Sequence, residues 1–338
     1  MHFDFYILTF IISVFLSLLF TPIIGSFAIK FGALDKPSGR KVHRKPIPLW
    51  GGVGVFIAVF GTIFIMSRVN SAFSELLSAD GGTLRHILEG IFVSSIVVTV
   101  LGTVDDMKGV IPTTKLLGQI IAAMIVMQYG LKISGVSLPF TSIYVRLPLY
   151  AAIAVTILWL AGFMNSINLI DGVDGLATGI VAIASCIFFI ITLIQLSVQT
   201  DPAAINMLRF ASVLSLVLCG SSLGFLKYNF PPGKIFLGDS GSLLLGFLAG
   251  IITITGILKT AAALTLIVPV LIFGVPIGDA FFSLLRRLFH HESFMKADKD
   301  HLHHRLLYRK GWNARKVDIR IYTITFALGA VAVIITLL

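Results

Sequence analysis

Asn165, Asn168, Asp171 and Asp174 recur at every third residue of the segment Asn-Ser-Ile-Asn-Leu-Ile-Asp-Gly-Val-Asp-Gly, residues 165–175. Two long apolar runs, 147–164 and 176–196, flank it. An Asp near the middle of a membrane helix costs roughly 2.5–3.5 kcal/mol on insertion scales, so this set calls for a compensating partner. On a helix the three-residue spacing keeps successive members neighbours. Gly172 and Gly175 allow close backbone approach or a helix break. Amide and carboxylate oxygens are hard ligands suited to Mg²⁺ or Mn²⁺. The plainer alternative is a polar hydrogen-bond cluster between helices.

Three further constellations carry usable chemistry. Asp105 and Asp106 are adjacent, and Lys115 follows nine residues after Asp106. Paired carboxylates repel unless a cation or a shared proton relieves them, although Asp-Asp-Met-Lys-Gly is also good turn chemistry. Phe236-Leu-Gly-Asp239-Ser-Gly-Ser242 opens an apolar run, a pattern that makes an anion nest at a helix N-terminus. Asp239 there either caps the helix or holds a metal bridging to the anion. Residues 232–235, Pro-Gly-Lys-Ile, lack the upstream Gly and the hydroxyl of a Walker A loop. The third is Asp300-His301-Leu302-His303-His304-Arg305. If helical, it places His301, His304 and Arg305 on one face. No Cys partner and no His-Glu-x-x-His pattern supports zinc, so a phosphate- or sugar-binding face is the better reading. Arg40 and His43 are weaker candidates, and His2, His86, His290 and His291 read as incidental.

The elements that must position these groups are membrane helices. The 338 residues are 57% hydrophobic and 12% charged, outside the range of soluble globular domains. Runs of about 20 apolar residues suffice to span a bilayer, and ten candidates follow: 5–29, 49–66, 87–104, 116–131, 147–164, 176–196, 207–226, 243–258, 261–285 and 319–338. The expected fold is an all-α polytopic membrane protein, residues 1–338 forming one domain. Pro269, Gly274 and Pro276 predict a kink or break in the ninth span, just before Asp279. Positive charges follow the first run instead of preceding it, which argues against a cleaved signal peptide and for an outside N-terminus. The inside loops near 30–48, 104–115, 165–175, 226–240 and 286–318 then hold twenty of the Lys and Arg residues (counting to Arg320) against six outside, a strong orientation signal. Part of the net charge of +10 attracts anionic lipid headgroups. No soluble module is present to read nucleic acid. Cys186 and Cys219 lie in apolar runs and read as core thiols.

With that topology all four constellations meet in one cytoplasmic cleft, the arrangement that metal-assisted phosphoryl transfer needs. These residues resemble the polyprenyl-phosphate N-acetylhexosamine-1-phosphate transferases. The match runs in order from Gly51-Gly52, through Asp105-Asp106 with Lys115, Asn165-x-x-Asn168-x-x-Asp171-Gly-x-Asp174-Gly and Gly238-Asp239-Ser-Gly-Ser, to His301-x-His303-His304-Arg305. It covers nearly the whole chain and looks most like the bacterial enzymes that load undecaprenyl phosphate from UDP-GlcNAc. The muramoyl-pentapeptide branch has three consecutive histidines where this chain has His-Leu-His-His-Arg.

The resemblance implies ten or eleven spans in the bacterial cytoplasmic membrane and release of UMP. It implies Mg²⁺, or Mn²⁺, held by Asp239 with Asn168 and Asp171. Lys115 would contact the pyrophosphate. Phe236 would stack on uracil, with Asp174 and Asn229 nearby. Asp105 and Asp106 would face the polyprenyl phosphate, so that Asp105, Asp106, Asp171 and Asp239 form the catalytic set. His301, His303, His304 and Arg305 would close over the sugar and phosphates. The implied partners are UDP-GlcNAc, undecaprenyl phosphate and membrane lipids, with a homodimer compatible and a teichoic acid or O-antigen polymer downstream. A transporter is the rival from another class; it predicts polar groups spread across the bilayer, and Asp279 fits either reading.

Overall fold

The computed structural model describes residues 3–37, 45–137, 144–256, 267–289 and 301–337. Arg40, His43 and Asp300 lie outside the described residues. The chain is an all-α bundle: α1 (Phe3–Phe31), α2 (Gly51–Val69), α3 (Ser71–Lys108), α4 (Pro112–Gln128), α5 (Leu149–Ile170), α6 (Leu176–Val198), α7 (Pro202–Asn229), α8 (Gly238–Gly256), α9 (Ile267–Ile272), α10 (Gly274–Phe289), the short α11 (Leu302–His304) and α12 (Ala314–Leu337). Two small antiparallel ribbons complete it: β1 (Leu34–Asp35) with β2 (Ile47–Pro48), and β3 (Gly135–Ser137) with β4 (Tyr144–Arg146).

Among the described residues, eight helices are long and apolar enough to cross a membrane: α1, α2, α3, α5, α6, α7, α8 and α12. The run at 116–131 forms α4, which is 17 residues long. The ninth run is broken. Pro276 has no N–H to offer the carbonyl of Ile272, and its ring crowds that carbonyl. The helix stops there, turns at Phe273 and restarts as α10. The segment 68–86, expected as an outer loop, is largely helical. Its backbone leaves helical geometry at Asn70, which is extended between α2 and α3, and at Ala79, Asp80, Gly81 and Gly82, the last three at positive φ.

α8 is the axis of the bundle. It is buried from Ser240 to Gly256 and packs against α2, α3, α5, α6 and α7. Small residues permit this: a Cβ on Gly246 would stand 2.6 Å from the Cα of Met164 on α5. Many buried hydroxyls are satisfied within their own helix, as where Thr9, Thr21 and Thr62 donate to the carbonyls of Phe5, Ser17 and Ala58. That economy is required where no water is available. The outer faces of α1 and α12 expose Ile7, Ile11, Phe15, Ile319, Phe326 and Ile334, apolar surface suited to lipid.

Candidate active site

The first turn of α8 anchors the site. The backbone N–H groups of Gly51 and Gly52 donate to the carbonyls of Phe236 and Leu237, and that of Phe236 donates to Pro48. Gly52 must be glycine, because a Cβ there would lie 2.1 Å from the nitrogen of Gly241. The Pro-Leu-Trp-Gly-Gly stretch after the first loop therefore docks the start of α8.

That helix start is not an open anion nest. Asp106, at the end of α3, already fills it: its carboxylate accepts from the backbone N–H of Asp239 at 2.7 Å and of Ser240 at 3.2 Å. Gly238 adopts φ +71°, and a Cβ would collide with the Asp106 carboxylate. Asp106, and not Asp239, thus caps α8.

Asp239 is released to face the cleft. Its Oδ2 accepts from Lys115 Nζ at 2.7 Å, and its Oδ1 accepts from Asn168 Nδ2 at 2.5 Å. Asn168 also donates to Ser242 Oγ at 2.8 Å. Lys115 forms a second ion pair with Asp105, whose other oxygen accepts from the N–H of Val110 at 2.6 Å. Three helices therefore deliver one lysine and two carboxylates to a single point. Asn165 exchanges two hydrogen bonds with Gln119 of α4 and donates to Ala161, so its amide ties α5 to α4.

The helix carrying Asn165 and Asn168 ends at Ile170, and Asp171–Gly175 form a turn with Gly175 at φ +81°. Burial raises the Asp171 carboxyl well above the ordinary carboxylate range, and Asp239, Asp106 and Asp174 push the same way. Asp174 accepts from the N–H of Gly233 at 2.9 Å. Asn229 is 2% exposed and its side chain is engaged on both ends. Oδ1 accepts from Gly175 N–H and Thr178 Oγ1 at 3.0 Å each, and Nδ2 donates to the Ile235 carbonyl at 3.1 Å. Asn229 therefore staples the 171–175 turn to the segment leading to the half-buried Phe236. Asn229→Ala orphans those groups at about 1–3 kcal/mol each and should lower the thermal midpoint, readable on the purified protein.

The histidine segment reaches the same turn. His301 precedes α11, and Arg305–Arg309 continue it as a π turn. The face expected from helical spacing is not the buried one. His301 and His303 are buried, His304 is half-buried and Arg305 is exposed, because helix begins only at Leu302. His303 lies against Gly172, where a Cβ would be 2.3 Å from its Nε2. Burial and the adjacent His304 lower the His303 pKa to about 3, so its ring is neutral at physiological pH.

One wall carried no motif. On α12, Arg315, Asp318 and Tyr322 share a helical face. Arg315 Nε donates to the Pro231 carbonyl at 2.7 Å and Tyr322 OH to the Gly175 carbonyl at 2.7 Å. A Cβ on Gly175 would meet Asp318 Oδ2 at 3.1 Å. Asp318 at the head of an apolar run was the available signal, since a buried acid there needs a reason.

All these groups gather at one end of the bundle, and Asp279 joins them by pairing with His301.

The glycosyl transferase family 4 model matches residues 88–257, half of the chain. A probable undecaprenyl-phosphate N-acetylglucosaminyl 1-phosphate transferase of Bacillus subtilis is 36% identical over 329 residues, covering 97% of this chain and 84% of its own. The chain belongs to glycosyl transferase family 4. A decaprenyl-phosphate N-acetylglucosaminephosphotransferase of Mycobacterium leprae is 32% identical over 89% of this chain and 76% of its own. A phospho-N-acetylmuramoyl-pentapeptide-transferase of Bacillus velezensis is 31% identical over 97% of this chain and 96% of its own. As a member of this family the protein is a membrane-embedded transferase. The match to the family model stops before α10, α11 and α12, which supply the histidines and the Arg315–Tyr322 wall.

Proposed function

We propose that this protein transfers GlcNAc-1-phosphate from UDP-GlcNAc to undecaprenyl phosphate, releasing UMP. The observation that carries the reading is the convergence of Lys115, Asp239 and Asn168 from α4, α8 and α5 at one end of the bundle. The relatives' names supply the substrate class, a polyprenyl phosphate and an N-acetylglucosamine phosphate. The charge bias of the loops favours a cleft facing the cytoplasm of a bacterial cell.

The reaction is a single in-line displacement. An oxygen of the polyprenyl phosphate forms a bond to the β-phosphorus of the UDP-sugar. The bond from that phosphorus to the oxygen bridging the α-phosphate breaks, and UMP leaves with the electron pair. A phosphate monoester with a second pKa near 6 is largely dianionic at neutral pH, so it needs placement more than a strong base. Lys115 holds pyrophosphate oxygens by charge. Asp105, which shares that lysine, orients it and is a secondary candidate to hold a proton of the incoming lipid phosphate. Phe236 offers a face to the uracil ring, with Asp174 at its edge. His303 and His304 close the sugar side.

The donor set suits a divalent cation. Among the described residues no three carboxylates or imidazoles already converge as a metal site. Mg²⁺ ordinarily uses one or two carboxylates plus substrate phosphates, and Asp239, Asp171 and the Asn168 carbonyl oxygen are a matching set. Burial raises Asp171 and the neighbouring Asp239, Asp106 and Asp174 add to the rise, a repulsion that such an ion would relieve. When bound, the ion would screen the pyrophosphate charge.

Purified protein supplied with Mg²⁺, undecaprenyl phosphate and a panel of UDP-sugars should release UMP fastest from UDP-GlcNAc. Faster release from another UDP-N-acetylsugar would reassign the donor. UDP-GlcNAc alone should give no stoichiometric UMP. A burst with phosphosugar left on the protein would replace the direct displacement with a covalent intermediate.

A further inference from the structure

Asp279 lies outside the catalytic set, yet its carboxylate is fully committed. It stands on α10, just beyond the break at Phe273. Oδ2 is 2.9 Å from His301 Nδ1, and Oδ1 accepts from the backbone N–H of Leu302 at 2.8 Å. The side chains of His301 and Asp279 are 5% and 9% exposed. A carboxylate can only accept, so the proton of a neutral His301 sits on Nδ1 and its lone pair on Nε2. Beyond that pair the contact runs on. The rings of His301 and His303 are parallel, 1° apart in plane and 5.8 Å between centroids. His303 rests on Gly172 beside Asp171, and neither of its ring nitrogens has a hydrogen-bond partner among the described residues.

We propose that Asp279 is a positioning residue for the transfer reaction: it fixes the tautomer of His301 and, through Leu302, seats His303 against the Asp171–Gly175 turn. Because the chain breaks before α10, the helix bearing Asp279 is free of the axis set by α9. The bidentate contact to His301 and Leu302 is what registers the histidine segment to the cleft. Asp279 acts through His301 and does not touch the substrates. The inference rests on the proposed GlcNAc-1-phosphate transfer for its kinetic arm only.

Asp279→Asn is the informative change. It keeps an acceptor for Leu302 but presents an N–H to His301, which forces the ring to carry its proton on Nε2. Steady-state UMP release by this variant should show kcat lowered about 10²-fold, the scale of a misplaced reacting group, with KM for UDP-GlcNAc within about threefold. The double variant Asp279→Asn/His301→Ala should be no slower than His301→Ala alone, because both changes remove one coupled function. ¹⁵N-histidine spectra of the substrate-free protein, with His301 assigned by its loss in His301→Ala, should show the Nδ1 and Nε2 signals exchange character in Asp279→Asn. An unchanged kcat, an unchanged tautomer or multiplicative losses in the double variant would overturn the proposal. So would matched losses of stability and nucleotide affinity without a change in the spectrum. Should the wild type release no UMP from any UDP-sugar, the transfer reading fails, while the spectral comparison still decides whether Asp279 sets the His301 tautomer.

Discussion

Asp239→Ala should lower UMP release from UDP-GlcNAc by at least about 10³-fold, the scale expected when a principal electrostatic group is removed from a phosphoryl-transfer site. The fold should survive. α8 keeps its cap, because Asp106 accepts from the backbone of residue 239 and not from its side chain. Asn168 keeps its bond to Ser242, and Lys115 keeps Asp105. Removing the carboxylate at 239 thus leaves each of its partners with another bond. Circular dichroism and thermal unfolding should match the wild type while turnover disappears. Activity in Mg²⁺ within a few-fold of wild type would take Asp239 out of the metal and phosphate machinery.

Lys115→Ala should cost about 10²-fold in kcat/KM, with weaker UDP-GlcNAc binding as the main component. The lysine lies between Asp105 and Asp239. Its loss leaves two carboxylates facing each other at the proposed pyrophosphate position, so binding of that anion would suffer twice: a cation is gone and a repulsion is added. Calorimetric titration with UDP-GlcNAc reads this directly. Unchanged nucleotide affinity would move Lys115 to the lipid phosphate, or reduce it to neutralising the aspartates. Asp105→Asn in the Lys115→Ala background should recover part of the binding, since it removes one side of the repulsion.

The helices were legible because a bilayer leaves the chain little choice: each long apolar run at 5–29, 49–66 and 176–196 forms a helix long and apolar enough to cross a membrane. The break near Pro276 was legible for the same reason, since a missing N–H and a clash are local facts. Asp239, Lys115 and Asn168 could be singled out as polar groups at the ends of apolar runs, and they do meet. Partner choice was not legible. Nothing in Phe236–Ser242 says that its N–H groups are filled by a carboxylate from 133 residues upstream, because that depends on how closely α3 can approach. Gly102 decides it: a Cβ there would lie 2.3 Å from the Ser240 nitrogen. The histidine segment misled for a different reason. Helical spacing places His301, His304 and Arg305 on one face, but helix starts at Leu302, and the buried pair is His301 and His303. Asp318 and Tyr322 carried no motif because they back the turn at Gly175, and Arg315 because it holds the Pro231 carbonyl, both far away in the chain.

The capping of α8 by Asp106 divides two neighbouring aspartates that look equivalent in the sequence. Asp105 shares a lysine with the cleft; Asp106 holds the end of the central helix in place. A loss-of-function screen would score substitutions at both as equally damaging and list two catalytic acids. The two kinds of damage have different physical signatures. An Asp106 variant should expose the amides of Asp239 and Ser240 to hydrogen exchange before any substrate is added, whereas an Asp105 variant should leave them protected. Inactivity at adjacent positions can therefore report a broken scaffold at one and a missing reagent at the other.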